Sequence, residues 1–288
     1  MTLIFISIVL SSLLVICFKV FDKYKVNISN AISLNYLSAS ACGVIAGYDT
    51  IVNLSFSEAS WLPYTLLFGV FFIVVFNLVG IGVRTSGLMV VAIAQKMSLI
   101  IPLAFSIVYY KESYGLMKIS GIVLALVAIY FSSQKSDLST GKNQKVNYLI
   151  PLLIFLGSGI VDVSIKISQE HFAQQVNFEV LLAFIFGAAG VVGISKMLIS
   201  KEKLRTKDFI AGISLGLFNF SSTYFLMKAL AQNEYESSFV FAINNIGIIL
   251  LSTFVASTIF KERLNKINYI GIVLAVASIL FIYYSNVI

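Results

Sequence analysis

Gly121-Ile122-Val123-Leu124-Ala125 recurs, residue for residue, as Gly271-Ile272-Val273-Leu274-Ala275. Lys111-Glu112 returns as Lys261-Glu262, and Val90-x-Ala92-Ile93 as Val240-x-Ala242-Ile243, all at one offset of 150 residues. Earlier in each copy Phe76-Asn77 matches Phe218-Asn219, after which the second copy has the longer loop. Self-similarity at a fixed spacing is the mark of a duplicated unit. The two copies are residues 1–133 and 147–288, joined by a polar linker over 134–146 that holds Asp137, Lys142 and Lys145.

Around these echoes the sequence is almost continuously apolar. Of its 288 residues 59% are hydrophobic and 11% are charged, against about 25% charged in a soluble domain. A chain so poor in charge lacks the polar groups to cover a surface in water, whereas lipid asks for none. Ten apolar runs stand out, at 2–21, 31–47, 62–82, 86–109, 116–133, 147–167, 178–198, 209–230, 237–260 and 267–285. A helix needs roughly 20 apolar residues to cross a bilayer. A barrel strand needs about 10 and alternates polar with apolar. The runs fit the first pattern, so the sequence predicts an all-α integral membrane protein of ten transmembrane helices, five in each copy. The first run has no basic n-region and no small-residue cleavage site, so it reads as a span.

Five is odd, so equivalent helices of the two copies cross in opposite senses: two inverted five-helix repeats. Inverted repeats recur in secondary transporters, with the binding site near the midplane at the repeat interface. Alternating access needs two similar gates on opposite faces, and inversion supplies them. The loops on one side hold Lys23, Lys25, Arg84, Lys135, Lys142, Lys145, Lys201, Lys203, Arg205, Lys207, Lys261, Arg263 and Lys266, and those on the other hold Lys111 and Lys118. By the positive-inside rule this bias places both termini outside the cytoplasm. Trp61, Tyr64, Tyr109, Tyr110, Tyr283 and Tyr284 fall at run ends, as interfacial anchors do.

The duplicated segments Pro102 to Ala125 and Ser252 to Ala275 each pair a fourth helix, a short loop with a Lys-Glu step (Glu112, Glu262) and a Gly-led fifth helix. In this the chain resembles the ten-helix EamA-type branch of the drug/metabolite transporter superfamily, over nearly its whole length. The resemblance implies a ten-helix bundle around a central cavity lined by spans 1, 3, 4, 6, 8 and 9, with spans 5 and 10 at the periphery. It also implies transport of small metabolites such as amino acids, sugars or nucleotide conjugates. Members of that branch generally keep both termini in the cytoplasm, and the loop charges here depart from that pattern.

Ionisable and amide groups inside apolar runs are the candidate binding residues, because lipid makes them costly to keep. Lys96, beside Gln95 in the fourth run, is suited to bind a substrate carboxylate or phosphate, or else to pair with Asp162. Asp162, in the sixth run, is the one carboxylate well within a span; proton coupling and a fixed counter-ion are its two readings. Asn244-Asn245 in the ninth run correspond through the repeat to Ala94-Gln95, which sets amides at matching depth in both copies. Asn77 and Asn219 form a second repeated pair. Ser221, Ser222, Thr223 and Tyr224 extend the polar stretch of the eighth run, and Ser158 lies in the sixth. Lys19 and Lys166 close the first and sixth runs and read as snorkelling to the interface. Pro102 is placed to kink the fourth run just past Lys96. Glycines at 187, 190 and 193, and the Gly-Ala steps at 121/125 and 271/275, read as close helix contacts.

Much chemistry is excluded. His171 is the only histidine and Cys17 and Cys42 sit within apolar runs, so no metal site, no cofactor and no Ser-His-Asp centre is expected. No Walker loop occurs, so ATP does not drive the protein directly. The net charge of +7 belongs to loops beside anionic lipid, not to nucleic acid. The expectation is a secondary transporter, not an enzyme, that moves a small polar metabolite across a bacterial-type inner (plasma) membrane as an exporter or exchanger. Its partners are a small-molecule substrate and the lipid bilayer, and it acts as a monomer or homodimer. The rivals are a membrane scaffold or sensor, which needs no polar groups at matched depth, and an enzyme acting on lipid-linked groups, which needs clustered carboxylates or histidines near one interface.

Overall fold

The apolar runs fold as helices. The computed structural model describes residues 1–55, 59–85, 94–111, 115–132, 149–200, 203–232, 234–259 and 266–287, and no strand occurs among them. The helices are α1 (Thr2–Lys23), α2 (Ile28–Ala46), α3 (Tyr48–Val52), α4 (Leu62–Thr85), α5 (Ile100–Tyr109), α6 (Leu116–Ser132), α7 (Leu149–Ile167), α8 (Phe178–Ser200), α9 (Thr206–Ala231), α10 (Ser237–Thr258) and α11 (Lys266–Val287). A π-helical turn over Ser168–Phe172 extends α7. The linker 134–146, the Val90-to-Ile93 stretch, Glu112 and the Lys261-Glu262 step lie outside the described residues.

Five of these helices are long and apolar enough to cross a membrane: Leu62–Val79, Leu149–Phe172, Phe178–Ser200, Thr206–Ala231 and Ser237–Val255. Four more are apolar but shorter: Thr2–Phe18, Ala94–Tyr109, Leu116–Phe131 and Lys266–Ile282. The second run falls outside both groups because α2 carries Ser29, Asn30, Ser33, Asn35, Ser38 and Ser40. The short α3 was not foreseen. The distribution of polarity is inverted relative to a soluble domain. Leu116 and Ile199 are more than 80% exposed, while Ser7, Asn35 and Asp208 are fully buried, as a lipid solvent requires.

Two compact units form, each from two chain segments: Met1–Asn77 with Ser164–Ala231, and Leu78–Val163 with Gln232–Ile288. In the first, α2 packs between α8 and α9, and α1 packs on α9. Small residues permit that closeness. A Cβ at Gly216 would lie 2.5 Å from the carbonyl oxygen of Asn35, and one at Gly69 only 2.2 Å from that of Ile185. Gly187, Gly190 and Gly193 face Ser40, Leu37 and Ser33 of α2, the contact their spacing predicted. At one end Asn27 caps α2 by accepting from the amides of Ser29 and Asn30.

In the second unit α6 lies along α11, so the two copies of the quoted pentapeptide belong to one helix pair. A Cβ at Gly121 would meet Ile282 at 2.6 Å, and Ala125, Ala128, Ala275 and Ile246 make one buried cluster. Helix α10 closes the unit against α5, α6 and α11.

Candidate functional site

Gln95, Lys96, Ser158, Asp162, Asn244 and Asn245 all belong to the second unit. Helix precedes and follows Lys96 but is interrupted at Ser98-Leu99. The cause is Pro102, which has no N–H to offer the Ser98 carbonyl. Ile101 donates to that carbonyl instead at 2.9 Å, and Leu99 donates to the Lys96 carbonyl at 3.3 Å, both one residue short of the α-helical register. The expected kink is therefore a local break in the winding, two residues beyond Lys96.

The half-buried Lys96 ammonium lies 3.5 Å from Asn245 Oδ1, and the Asn245 amide donates to the Phe241 carbonyl at 3.1 Å. Asp162, half-buried on α7, is close enough for its charge and that of Lys96 to act on each other. No ion pair closes between them among the described residues. Asn244 is 5% exposed and its Oδ1 accepts nothing. The Ser158 hydroxyl, one turn before Asp162, is likewise buried and unpartnered. Gln95 is half-buried, and its carbonyl accepts from the Ser98 hydroxyl at 2.5 Å. The second unit thus holds an ammonium against a carboxamide, and a carboxamide oxygen and a hydroxyl that are buried without partners. Among the described residues no His/Cys/Asp/Glu group is arranged to hold a metal.

The other three candidates lie in the first unit. Asn219 donates to Asn35 Oδ1 at 3.2 Å, and Asn35 is wholly buried with its own amide nitrogen unpartnered. The Tyr224 hydroxyl donates to Glu179 at 2.5 Å, and the Lys228 ammonium sits 4.5 Å above the Tyr224 ring. Asn77 donates to the Ile73 carbonyl at 2.7 Å and accepts from the exposed Lys196. Asn35, Glu179, Lys196 and Lys228 were missed in the sequence. Asn35 and Lys228 carried the signal of polarity within a run, whereas Glu179, in the first turn of α8, looked like a loop acid.

Two expectations are corrected. Lys166 does not snorkel: it is 6% exposed and donates to Gln169 and Glu170, both at 3.0 Å. Trp61 is no interfacial anchor: it is 2% exposed, with its ring edge-on to Phe184 at 5.2 Å. A further buried lysine, Lys118 at 1% exposure, is ion-paired with Glu236.

Residues 147–284 match the model of the EamA-like transporter family. The chain carries an EamA-like transporter domain. That family is one of membrane transporters, and the EamA-like domain together with the apolar helices makes the chain a multi-pass membrane protein. A protein of Haemophilus influenzae, described only as uncharacterized, is 28% identical over 273 residues, covering 92% of each chain. A solved crystal structure superposes with a TM-score of 0.77 over 99% of this chain and 96% of that one, at 14% identity. The latter likeness is one of fold.

Proposed function

We propose that the protein is a secondary carrier that moves a small polar metabolite, such as an amino acid, a sugar or a related compound, across the inner membrane. It works by alternating access as an exporter or exchanger, through ten spans in two inverted five-helix repeats. The observation that supports this reading is the polar set of Lys96, Asp162, Asn244 and Asn245, held by three different spans within apolar helices. Lipid makes such groups costly, so they persist where they serve a substrate or a wet path. Lys96 takes the acidic end of the substrate. The amides orient it at less desolvation cost than further charges would carry. Asn77 is left out, because its amide is already engaged at an exposed lysine.

The test begins with thermal unfolding of the purified protein against panels of amino acids and sugars, since a ligand of the folded state raises the melting temperature by mass action. Hits are then followed as flux into proteoliposomes. Lys96→Ala is expected to lose both the shift and the flux for acidic or zwitterionic hits while keeping its elution profile. Undiminished flux in that variant removes Lys96 from the site.

A further inference from the structure

One end of the first unit gathers more cations than acids. Lys207 donates to the Tyr24 carbonyl at 2.9 Å and Arg205 to the Lys25 carbonyl at 3.2 Å, so the loop after α1 is gripped by the start of α9. Lys203 precedes Arg205 by two residues. Lys25, Lys203, Arg205 and Lys207 are all exposed. Asp208 is the one acid among residues 24–27 and 203–210. It is fully buried, and its charge is matched by Arg205 at 2.9 Å. In the flanking sequence Asp22 and Glu202 offset Lys23 and Lys201. The charges of Lys25, Lys203 and Lys207 are left over.

Lys25 has a φ of 50°, in the left-handed region that glycine enters without strain and a lysine does not. A glycine would make that turn more easily, so what the lysine adds is its ammonium. Beyond Lys207 the same face of α9 turns apolar. Ile210, Ser214 and Leu217 follow Lys207 at helical spacing. Ile210 is 60% and Leu217 49% exposed, and the Ser214 hydroxyl is turned back to the Ile210 carbonyl at 3.0 Å. Gly212 and Gly216, on the opposite face, are the residues that meet α2. From Lys207 to Leu217 the stripe rises about 15 Å, half the thickness of a bilayer's hydrocarbon core.

We propose that this end of the first unit is a binding site for an anionic phospholipid. The headgroup phosphate lies among Lys25, Lys203 and Lys207, and one acyl chain runs along Ile210, Ser214 and Leu217. Two complementarities select that occupant. The surplus charge is positive, and an anionic headgroup supplies the missing negative charge. The apolar stripe begins where the cations end, and a lipid is an anion that carries a chain to cover it. A free phosphate would satisfy the lysines and leave the stripe bare. A zwitterionic lipid would cover the stripe but bring its own cation against the lysines. Arg205, matched by Asp208, holds the loop in place and is not counted among the headgroup contacts.

The experiment titrates the full chain, purified in an uncharged detergent, with phosphatidylglycerol or with phosphatidylcholine of the same acyl chains, and reads bound lipid by native mass spectrometry. Phosphatidylglycerol is expected to bind the tighter. A lysine at an anionic surface contributes about fivefold in affinity. Lys25→Gly, Lys203→Gln and Lys207→Gln together should therefore weaken phosphatidylglycerol on the order of a hundredfold and leave phosphatidylcholine unchanged. Glycine suits the φ at position 25, and glutamine at 207 keeps an N–H for the Tyr24 carbonyl, so the triple variant should elute as wild type does. Lys203→Gln alone, at an exposed position, should cost about fivefold. Lys203→Arg with Lys207→Arg keeps the charge and should keep the preference. Ile210→Ser with Leu217→Ser should weaken both lipids. An unchanged preference for phosphatidylglycerol in Lys203→Gln and in the triple variant overturns the proposal. Displacement of phosphatidylglycerol by an equal concentration of glycerol 3-phosphate also overturns it, because the site would then hold a free anion and not a lipid.

Discussion

Asp208 holds together one end of the first unit, and replacing it tests how that end is built. Its carboxylate is fully buried and accepts four hydrogen bonds: from the Asn27 amide at 2.8 Å, the Arg205 amide at 3.2 Å, and the Arg205 side chain through Nε at 2.9 Å and a terminal nitrogen at 3.0 Å. Arg205 also donates to the Lys25 carbonyl, and Lys207 to that of Tyr24. The loop before α2 is thus bound to the start of α9. Asp208→Ala orphans two backbone donors and releases the guanidinium. Hydrogen bonds to a charged group contribute about 1.5–3 kcal/mol each, but partly exposed donors recover water, so a total near 3 kcal/mol is expected. Arg205 is exposed, so Arg205→Gln should cost far less, since solvent screens that half of the pair. The hydrogen bond to Asp208 pushes the Arg205 guanidinium above its ordinary pKa, so the pair does not lose its charge from that side. Asp208→Asn keeps one acceptor for the Asn27 amide and should fall between the two. The assay is thermal unfolding in detergent at one fixed scan rate, because membrane proteins unfold irreversibly. If Arg205→Gln proves as damaging as Asp208→Ala, or Asp208→Ala melts with wild type, the carboxylate does not tie these segments.

Gly216→Val should separate α2 from α9, since even a Cβ there would lie 2.5 Å from the Asn35 carbonyl; strain of about 1–3 kcal/mol or more should appear as loss of the monodisperse peak in size-exclusion chromatography. Pro102→Ala should restore a donor to the Ser98 carbonyl and close the break, giving a slowly exchanging amide at position 102 by hydrogen exchange. Lys118→Met removes the ammonium paired with Glu236, at a cost of about 3 kcal/mol, the low end for a broken buried pair because Glu236 keeps some solvent; Lys118→Met with Glu236→Gln should recover most of the lost melting temperature.

The helices and the small-residue faces of α6 and α11 were legible because both rest on spacing, whereas the pairing of those two faces with each other was not foreseen. Twenty apolar residues report a helix without help from tertiary structure, and Gly121 and Ala125 with Gly271 and Ala275 report a close approach. Lys96, Asp162 and the two asparagines were legible for a related reason: polarity within an apolar run needs no partner to be noticed. What escaped depended on partners that sequence does not name. Lys166 ends its run like a snorkelling lysine, and only the π-helical turn after it brings Gln169 and Glu170 within reach. Trp61 has the position of an interfacial anchor, and only Phe184 shows it turned inward. Asn35 and Asn219 lie 184 positions apart, and no periodicity links them. The interruption after Lys96 was half legible: Pro102 announces a lost donor, but not that Ile101 and Leu99 shorten their reach to compensate.

The two compact units draw on segments far apart in the chain, and this governs the order in which the protein can be made. When the translocon has released Met1–Asn77, the surfaces of α8 and α9 that α2 requires have not been synthesised. The seryl and asparaginyl face of α2 must therefore wait in lipid, or beside a chaperone, until Ala231 emerges. Leu78–Val163 waits in the same way for the C-terminal segment. Truncation after the linker should accordingly yield neither unit, whereas a stop just after Ala231 should spare the segments of the first unit and remove only the second.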